Sequence, residues 1–176
     1  MSRRLTDPIP ERPSAPREAV TAVVALGANL GDRAATLEAT VRELTRLPLV
    51  DEVVVSDPLE TVAIKPDGPD AEAPAYLNAV ALVTTRLAPT VLLEYLQRIE
   101  TEHGRVRHER WGDRTLDLDL IAYGDVQSGA ADLTLPHPRA AEREFVLAPW
   151  LSVDPDAELP GRGRVDALLA GLRESS

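Results

Sequence analysis

The sequence predicts an α+β (α/β) domain: one antiparallel sheet in the order β-α-β-β-α-β, helices packed on one face, and a C-terminal extension. Three observations carry this. Four apolar runs have the length and residue types of strands. Two intervening segments repeat their apolar residues at helical spacing, and proline or glycine marks the boundaries. The chain has 176 residues, 44% of them hydrophobic and 27% charged, so it can bury a core without disulfides or metal staples.

Residues 1–18 hold four of the 15 prolines and no apolar periodicity, which predicts a disordered tail before a single domain over 19–176. Val20 to Leu26 is a short apolar run ending at Gly27, a buried strand. In the GANLGD that follows, Asp32 is placed to cap a helix, its carboxylate taking orphan N–H groups of the first turn. Ala34, Leu37, Val41 and Leu44 then share one helical stripe, and Pro48 stops it. The run from Val50 to Glu60 is β-branched and reads as a second strand, and 61–74, with three prolines and a glycine, as a loop. Ala75 to Leu87 is a third strand. Pro89 suits the first position of a helix that turns Leu92, Leu96 and Ile99 inward and closes at Gly104. A charged loop spans 105–115, and Leu116 to Tyr123 is a fourth strand. Short helices near 138–145 and 165–173 complete the extension. This order is the split βαβ, or ferredoxin-like, pattern.

Composition narrows the function. There is no cysteine, which excludes thiolate metal sites and cysteine nucleophiles and favours a cytoplasmic setting. No apolar run is long enough to span a membrane, and the first residues lack the apolar core of a secretory signal. A net charge of −10 argues against sequence-blind nucleic-acid binding. Lys65 is the only lysine and GxxxxGK[ST] is absent, so phosphate chemistry here falls to arginine, metal and backbone.

The chemistry concentrates in Leu116-Asp117-Leu118-Asp119-Leu120. Side chains alternate along a strand, so the leucines face the core and both carboxylates face the other way, about 7 Å apart. Two close carboxylates need positive charge between them, and Mg²⁺, which takes oxygen ligands and completes its shell with phosphates, supplies it. Two such ions could clamp a phosphoryl transfer. For an isolated DxD, an amphipathic strand with a wet outer face is the commoner explanation, since such short patterns recur freely. The arginines shift the balance: seven of 18 fall within 98–143, among them Arg105, Arg107, Arg110, Arg114, Arg139 and Arg143. Guanidinium groups bind phosphate oxygens in pairs and stay charged. Asn78, polar in an apolar strand, either pairs with a planar heterocycle or caps a bulge. His137, between two prolines, either donates to phosphate or shapes a turn. Phe145 is by default a core residue, and GANLGD lacks the spacing of a dinucleotide loop.

Four segments resemble one family. GRVRHERWGDRTLDLDLIAYG is similar to the signature of the 6-hydroxymethyl-7,8-dihydropterin pyrophosphokinases of folate biosynthesis. ALGANLGD, YLNAVALV and LPHPRAAEREFVLAPWLSVDP resemble other segments of that family, in the same order, from about 20 to 160. The resemblance implies transfer of diphosphate from ATP to the pterin hydroxymethyl group, leaving AMP, by a cytoplasmic monomer that binds no nucleic acid and no membrane. It implies two Mg²⁺ ions on Asp117 and Asp119, with Arg105 and Arg114 as further catalytic groups. Gln97, Glu100, Arg107, Trp111, His137 and Arg143 would contact ATP. Thr61, Tyr76, Asn78 and Phe145 would hold the pterin, its ring stacked between Tyr76 and Phe145. The segment after Thr61, VAIKPDGPDAEAP, departs from the family's usual Pro-Gly-Gln pattern. Two other readings of the same fold are an RNA-binding module, which would need exposed sheet aromatics and a basic face, and a di-metal phosphohydrolase that needs no pterin.

Overall fold

The computed structural model describes residues 18–65, 68–70, 72, 75–104 and 115–176. Its centre is a five-stranded antiparallel sheet. Strands β1 (Val20–Ala28), β2 (Val50–Val55), β3 (Leu59–Thr61), β6 (Tyr76–Thr85) and β7 (Leu116–Tyr123) form it, in the order β2-β6-β1-β7 with β3 also on β6. Helix α1 (Arg33–Thr45) follows β1, and α2 (Pro89–Glu102) connects β6 to β7. That is the expected split βαβ arrangement.

Local chemistry explains the boundaries. Asp32 caps α1, its Oδ1 accepting from Ala35 N at 3.1 Å. The helix buries Leu37, Thr40 and Leu44, and Ala34 lies exposed. Thr40 tolerates burial because its hydroxyl donates to the Thr36 carbonyl at 2.7 Å. Pro89 opens α2, and Gly104 ends the turn after it at a φ of 83° that only glycine takes freely.

Two expectations need correction. The run from Val50 to Glu60 is not one strand. Ser56 interrupts it, exchanging bonds with Val80 through its own N–H and Oγ, both at 2.9 Å. Residues 61–74 are not all loop: β4 (Ala63–Lys65) pairs with β5 (Gly68–Asp70). Three-residue strands are too short to show a period, and the prolines hide them.

The extension also differs. A 3₁₀ turn at Ala140–Glu142 leads into α3 (Glu144–Val153), so the helix expected near 138–145 starts and ends later, with Pro149 buried inside it. Hairpins β8 (Ser128–Ala130) with β9 (Leu133–Leu135) and β10 (Glu158–Leu159) with β11 (Gly163–Arg164) precede α3 and α4 (Val165–Glu174) respectively.

The core has two layers. Ala22, Val24, Leu26 and Ala28 of β1 pack with Leu37, Leu44, Leu92, Leu96 and Ile99 of α1 and α2. Val23, Val80 and Ile121 pack with Val146, Leu147, Trp150 and Leu169 of α3 and α4. Alternation along β1 sends these two sets to opposite faces. So α1 and α2 share one face, as expected, and the extension covers much of the other, where Val23, Val80 and Ile121 would otherwise meet water. Among the described residues no helix is long and apolar enough to cross a membrane.

Candidate active site

The second face is not covered along its whole length. Register pairs line up Leu59, Asn78, Gly27 and Asp117 across β3, β6, β1 and β7, and next to them Val80, Ala25 and Asp119. Paired residues share a face, so Tyr76, Asn78, Asp117 and Asp119 all lie on the face that α3 and α4 cap further along. The predicted carboxylate pair is there, each residue half-buried.

Asn78 is buried and its amide is already oriented. Its Nδ2 donates to Thr61 Oγ1 at 2.7 Å and to the Leu59 carbonyl at 3.3 Å. That turns Oδ1 toward Gly27, where an added Cβ would come within 3.3 Å of Oδ1 and 3.8 Å of the Tyr76 ring. Gly27 is therefore a flat floor between Asn78 and Asp117. Those two Cα atoms stand two inter-strand spacings apart, about 10 Å.

The other wall comes from the extension. Arg143 precedes α3 and reaches Asp119, Nη1 to Oδ2, at 3.5 Å. Its guanidinium also lies 5.7 Å from the centre of the half-buried Phe145 ring. A β-bulge places His137 nearby. Ile121 has no register partner on β1, and its carbonyl accepts the His137 N–H at 2.8 Å. Burial pushes the His137 imidazole below its usual value; Arg143 and Arg139 push the same way, and Asp119 opposes them. The backbone N–H of Arg139 donates to Nδ1 at 3.2 Å, so the neutral ring carries its proton on Nε2, a donor suited to a phosphate oxygen.

Glu100 is 5% exposed, and its Oε1 accepts from Leu118 N at 2.8 Å, directly between the two aspartates. Gln97 lies exposed on the same helix. Arg105, Arg107, Trp111 and Arg114 lie outside the described residues. The structure thus brings together Thr61, Tyr76 and Asn78 on one side and Asp119, His137, Arg143 and Phe145 on the other, with Asp117 across Gly27 from Asn78. The sequence reading missed Gly27, whose signal was a glycine ending an apolar strand. It also missed Asn29, a buried amide with no hydrogen-bond partner for either polar atom, just beyond β1.

The donor set suits magnesium. Among the described residues no three His, Asp or Glu side chains gather as a complete protein cage. Two carboxylates on one open face, beside an arginine, are what a small hard cation sharing its shell with phosphates requires.

Residues 23–155 match the family model for 7,8-dihydro-6-hydroxymethylpterin-pyrophosphokinase. The chain belongs to this pyrophosphokinase family. A 2-amino-4-hydroxy-6-hydroxymethyldihydropteridine pyrophosphokinase from Haemophilus influenzae is 43% identical over 141 residues, 80% of this chain and 86% of that protein. One from Mycobacterium leprae is 44% identical over 165 residues, covering 85% and 82%. Solved HPPK-DHPS structures share the pyrophosphokinase fold with it. One in complex with substrates aligns with a TM-score of 0.66 at 12% identity over 89% of this chain. One from Plasmodium falciparum gives 0.68 at 13% over 91%. This chain spans 44% and 46% of those two longer chains.

Proposed function

We propose that this pyrophosphokinase transfers the terminal diphosphate of ATP to the hydroxymethyl group of 6-hydroxymethyl-7,8-dihydropterin, a step of folate biosynthesis. The observation that carries the reading is the row Asn78–Gly27–Asp117. It sets an amide that can read a heterocycle edge and a carboxylate pair on one face, about two strand spacings apart. A bicyclic heterocycle lying over Gly27 with its edge at Asn78 directs its hydroxymethyl arm toward Asp117 and Asp119.

In that pose Tyr76 and Phe145 flank the ring and Asn78 Oδ1 accepts from its N–H edge. The hydroxyl oxygen attacks the β-phosphorus of ATP. The bond from that phosphorus to the oxygen bridging to the α-phosphorus breaks, AMP leaves with that oxygen, and the hydroxyl proton passes to solvent. Arg143 and the Nε2–H of His137 bind phosphate oxygens. Arg105, Arg107, Trp111 and Arg114 contribute as the family resemblance implies. Asp117 and Asp119 would hold Mg²⁺, in two ions, whose charge offsets that on the migrating phosphates. Gln97 and Glu100 lie by the nucleotide as the family resemblance implies, and Glu100, through Leu118, also supports the placement of both aspartates. Most of the rate enhancement then comes from alignment and charge compensation.

On this reading residues 19–176 carry the whole activity, as a monomer in the cytoplasm acting on two diffusible substrates. The test is to incubate the full chain with Mg-ATP and the reduced pterin alcohol. AMP and pterin diphosphate should form together, and neither without the pterin. Inorganic phosphate released from ATP without the pterin would instead support a phosphohydrolase.

A further inference from the structure

Beyond the Gly27 floor, the stretch from Asn29 to Arg33 is not absorbed by the reaction described above. Its turn passes through Gly31, at a φ of 69°, and the Asp32 cap makes Arg33 the first residue of α1. From there Arg33 Nη1 donates to the carbonyl of Ala75 at 2.5 Å and to Glu60 Oε1 at 3.3 Å. Ala75 immediately precedes Tyr76, and Glu60 immediately precedes Thr61. Thr61 and Tyr76 are themselves register partners, at the end of a ladder only three pairs long.

We propose that Arg33 is a positioning residue for the pterin side of the site, bracing the end of the β3–β6 ladder so that Thr61, Tyr76 and Asn78 keep their places. The inference rests on the reading of that pocket given above. A three-residue strand has little to hold its end. One guanidinium that joins a helix start to both strands supplies what the ladder lacks. The Ala75 bond is the main part of the brace, since the Arg33 side chain is 29% exposed whereas that of Glu60 is 62% exposed and its attraction is screened.

The consequence for binding follows from Asn78. Its Nδ2 is held by Thr61 Oγ1 and the Leu59 carbonyl, both on β3, and only this leaves Oδ1 facing the ligand. If β3 frays from β6, the amide can rotate and the ring edge loses its partner. Asp117, Asp119, His137 and Arg143 hang from β7 and the extension, so the nucleotide side does not depend on the brace.

The experiment compares Arg33→Ala, Arg33→Lys and Asn78→Ala in the full chain. It measures pterin affinity without nucleotide, affinity for a non-hydrolysable ATP analogue, kcat, KM and melting temperature. Arg33→Ala should weaken pterin binding about tenfold, the scale of one charged hydrogen bond, and raise the pterin KM alike. Analogue affinity and kcat should stay within about twofold. Arg33→Lys retains a charged donor and should recover most of the loss. If Arg33→Ala is too unstable to assay, Arg33→Gln serves in its place with the same expected split. Unchanged pterin affinity in Arg33→Ala, while Asn78→Ala weakens it, overturns the brace and leaves the pocket reading standing. Equal weakening for both ligands with a lower melting temperature and no recovery by lysine also overturns it, because that marks a purely structural residue. Unchanged pterin affinity in Asn78→Ala overturns the pocket reading and this inference with it.

Discussion

Glu100 Oε1 accepts a hydrogen bond from the backbone N–H of Leu118 at 2.8 Å, so a buried helix carboxylate caps the outer edge of β7 between Asp117 and Asp119. Removing it strands a buried donor. Glu100→Ala should cost about 1–3 kcal/mol in urea unfolding and slow turnover as well, because the aspartates lose their support. Glu100→Gln keeps an acceptor at that place and should lose less stability than the alanine variant. Equal stability and turnover for the parent and Glu100→Ala would remove Glu100 from the account.

Asp117 and Asp119 share a face, while Leu116, Leu118 and Leu120 are committed to the core. Asn at either aspartate keeps size and removes charge, so the fold should survive. The lost interaction is with charge that develops during transfer, so kcat should fall by at least about 10²-fold in each variant. Pterin affinity measured without nucleotide should change little. Near-parental turnover in both folded variants would mean that this strand holds no catalytic metal.

Gly27→Ala tests the floor. Alanine gains about 0.5–1 kcal/mol of backbone entropy in a strand. Its Cβ would press Asn78 Oδ1 at 3.3 Å, and the amide cannot turn away without breaking its bonds to Thr61 and Leu59. Overpacking of that kind costs about 1–3 kcal/mol, so the entropy gain offsets only part of it. Binding has no such offset. Titration of the variant with pterin should show weakened affinity beside a melting temperature only a few degrees below the parent's.

His137 gives a pH dependence. Burial, Arg143 and Arg139 lower its folded pKa, so the unfolded chain takes up this proton at a higher pH than the folded one. Its stabilising contribution is therefore complete above the unfolded value near 6.5. It declines as pH falls from there toward the lower folded value. An NMR titration should place the His137 midpoint below 6.5. Asp119→Asn removes the opposing charge and should lower the midpoint further. A parental midpoint at or above 6.5 contradicts this assignment.

Much of the site was legible along the chain because it is locally encoded. The alternation in LDLDL shows by itself that Asp117 and Asp119 point together. Asp32 before an apolar stripe announces a helix start, and Pro89 another. Asn78 stands out because an amide in an apolar strand needs partners. The sequence left two options for Asn78, and the structure shows it bonded to Thr61 and Leu59 across the ladder rather than at a bulge. The irregularities lie instead at Ile121 on β7, where nothing in IAY marks one, and at Asp51 on β2.

What the sequence by itself determined, then, is the β-α-β-β-α-β order of the main elements, the strand that carries the carboxylates and the family to which its motifs belong. These follow from periods of two and 3.6 residues and from caps and breakers acting within a few positions. Tertiary structure alone decided which stretch of sheet stays open, because that depends on where α3 and α4 land against Val23, Val80 and Ile121. It also decided that Glu100 supports Leu118, that Arg143 reaches Asp119 and that Arg33 ties Glu60 to Ala75. Those partners lie between 18 and 42 residues apart, and no local rule reaches that far. Only the register of the paired strands and the packing of helices onto them bring such groups within bonding distance.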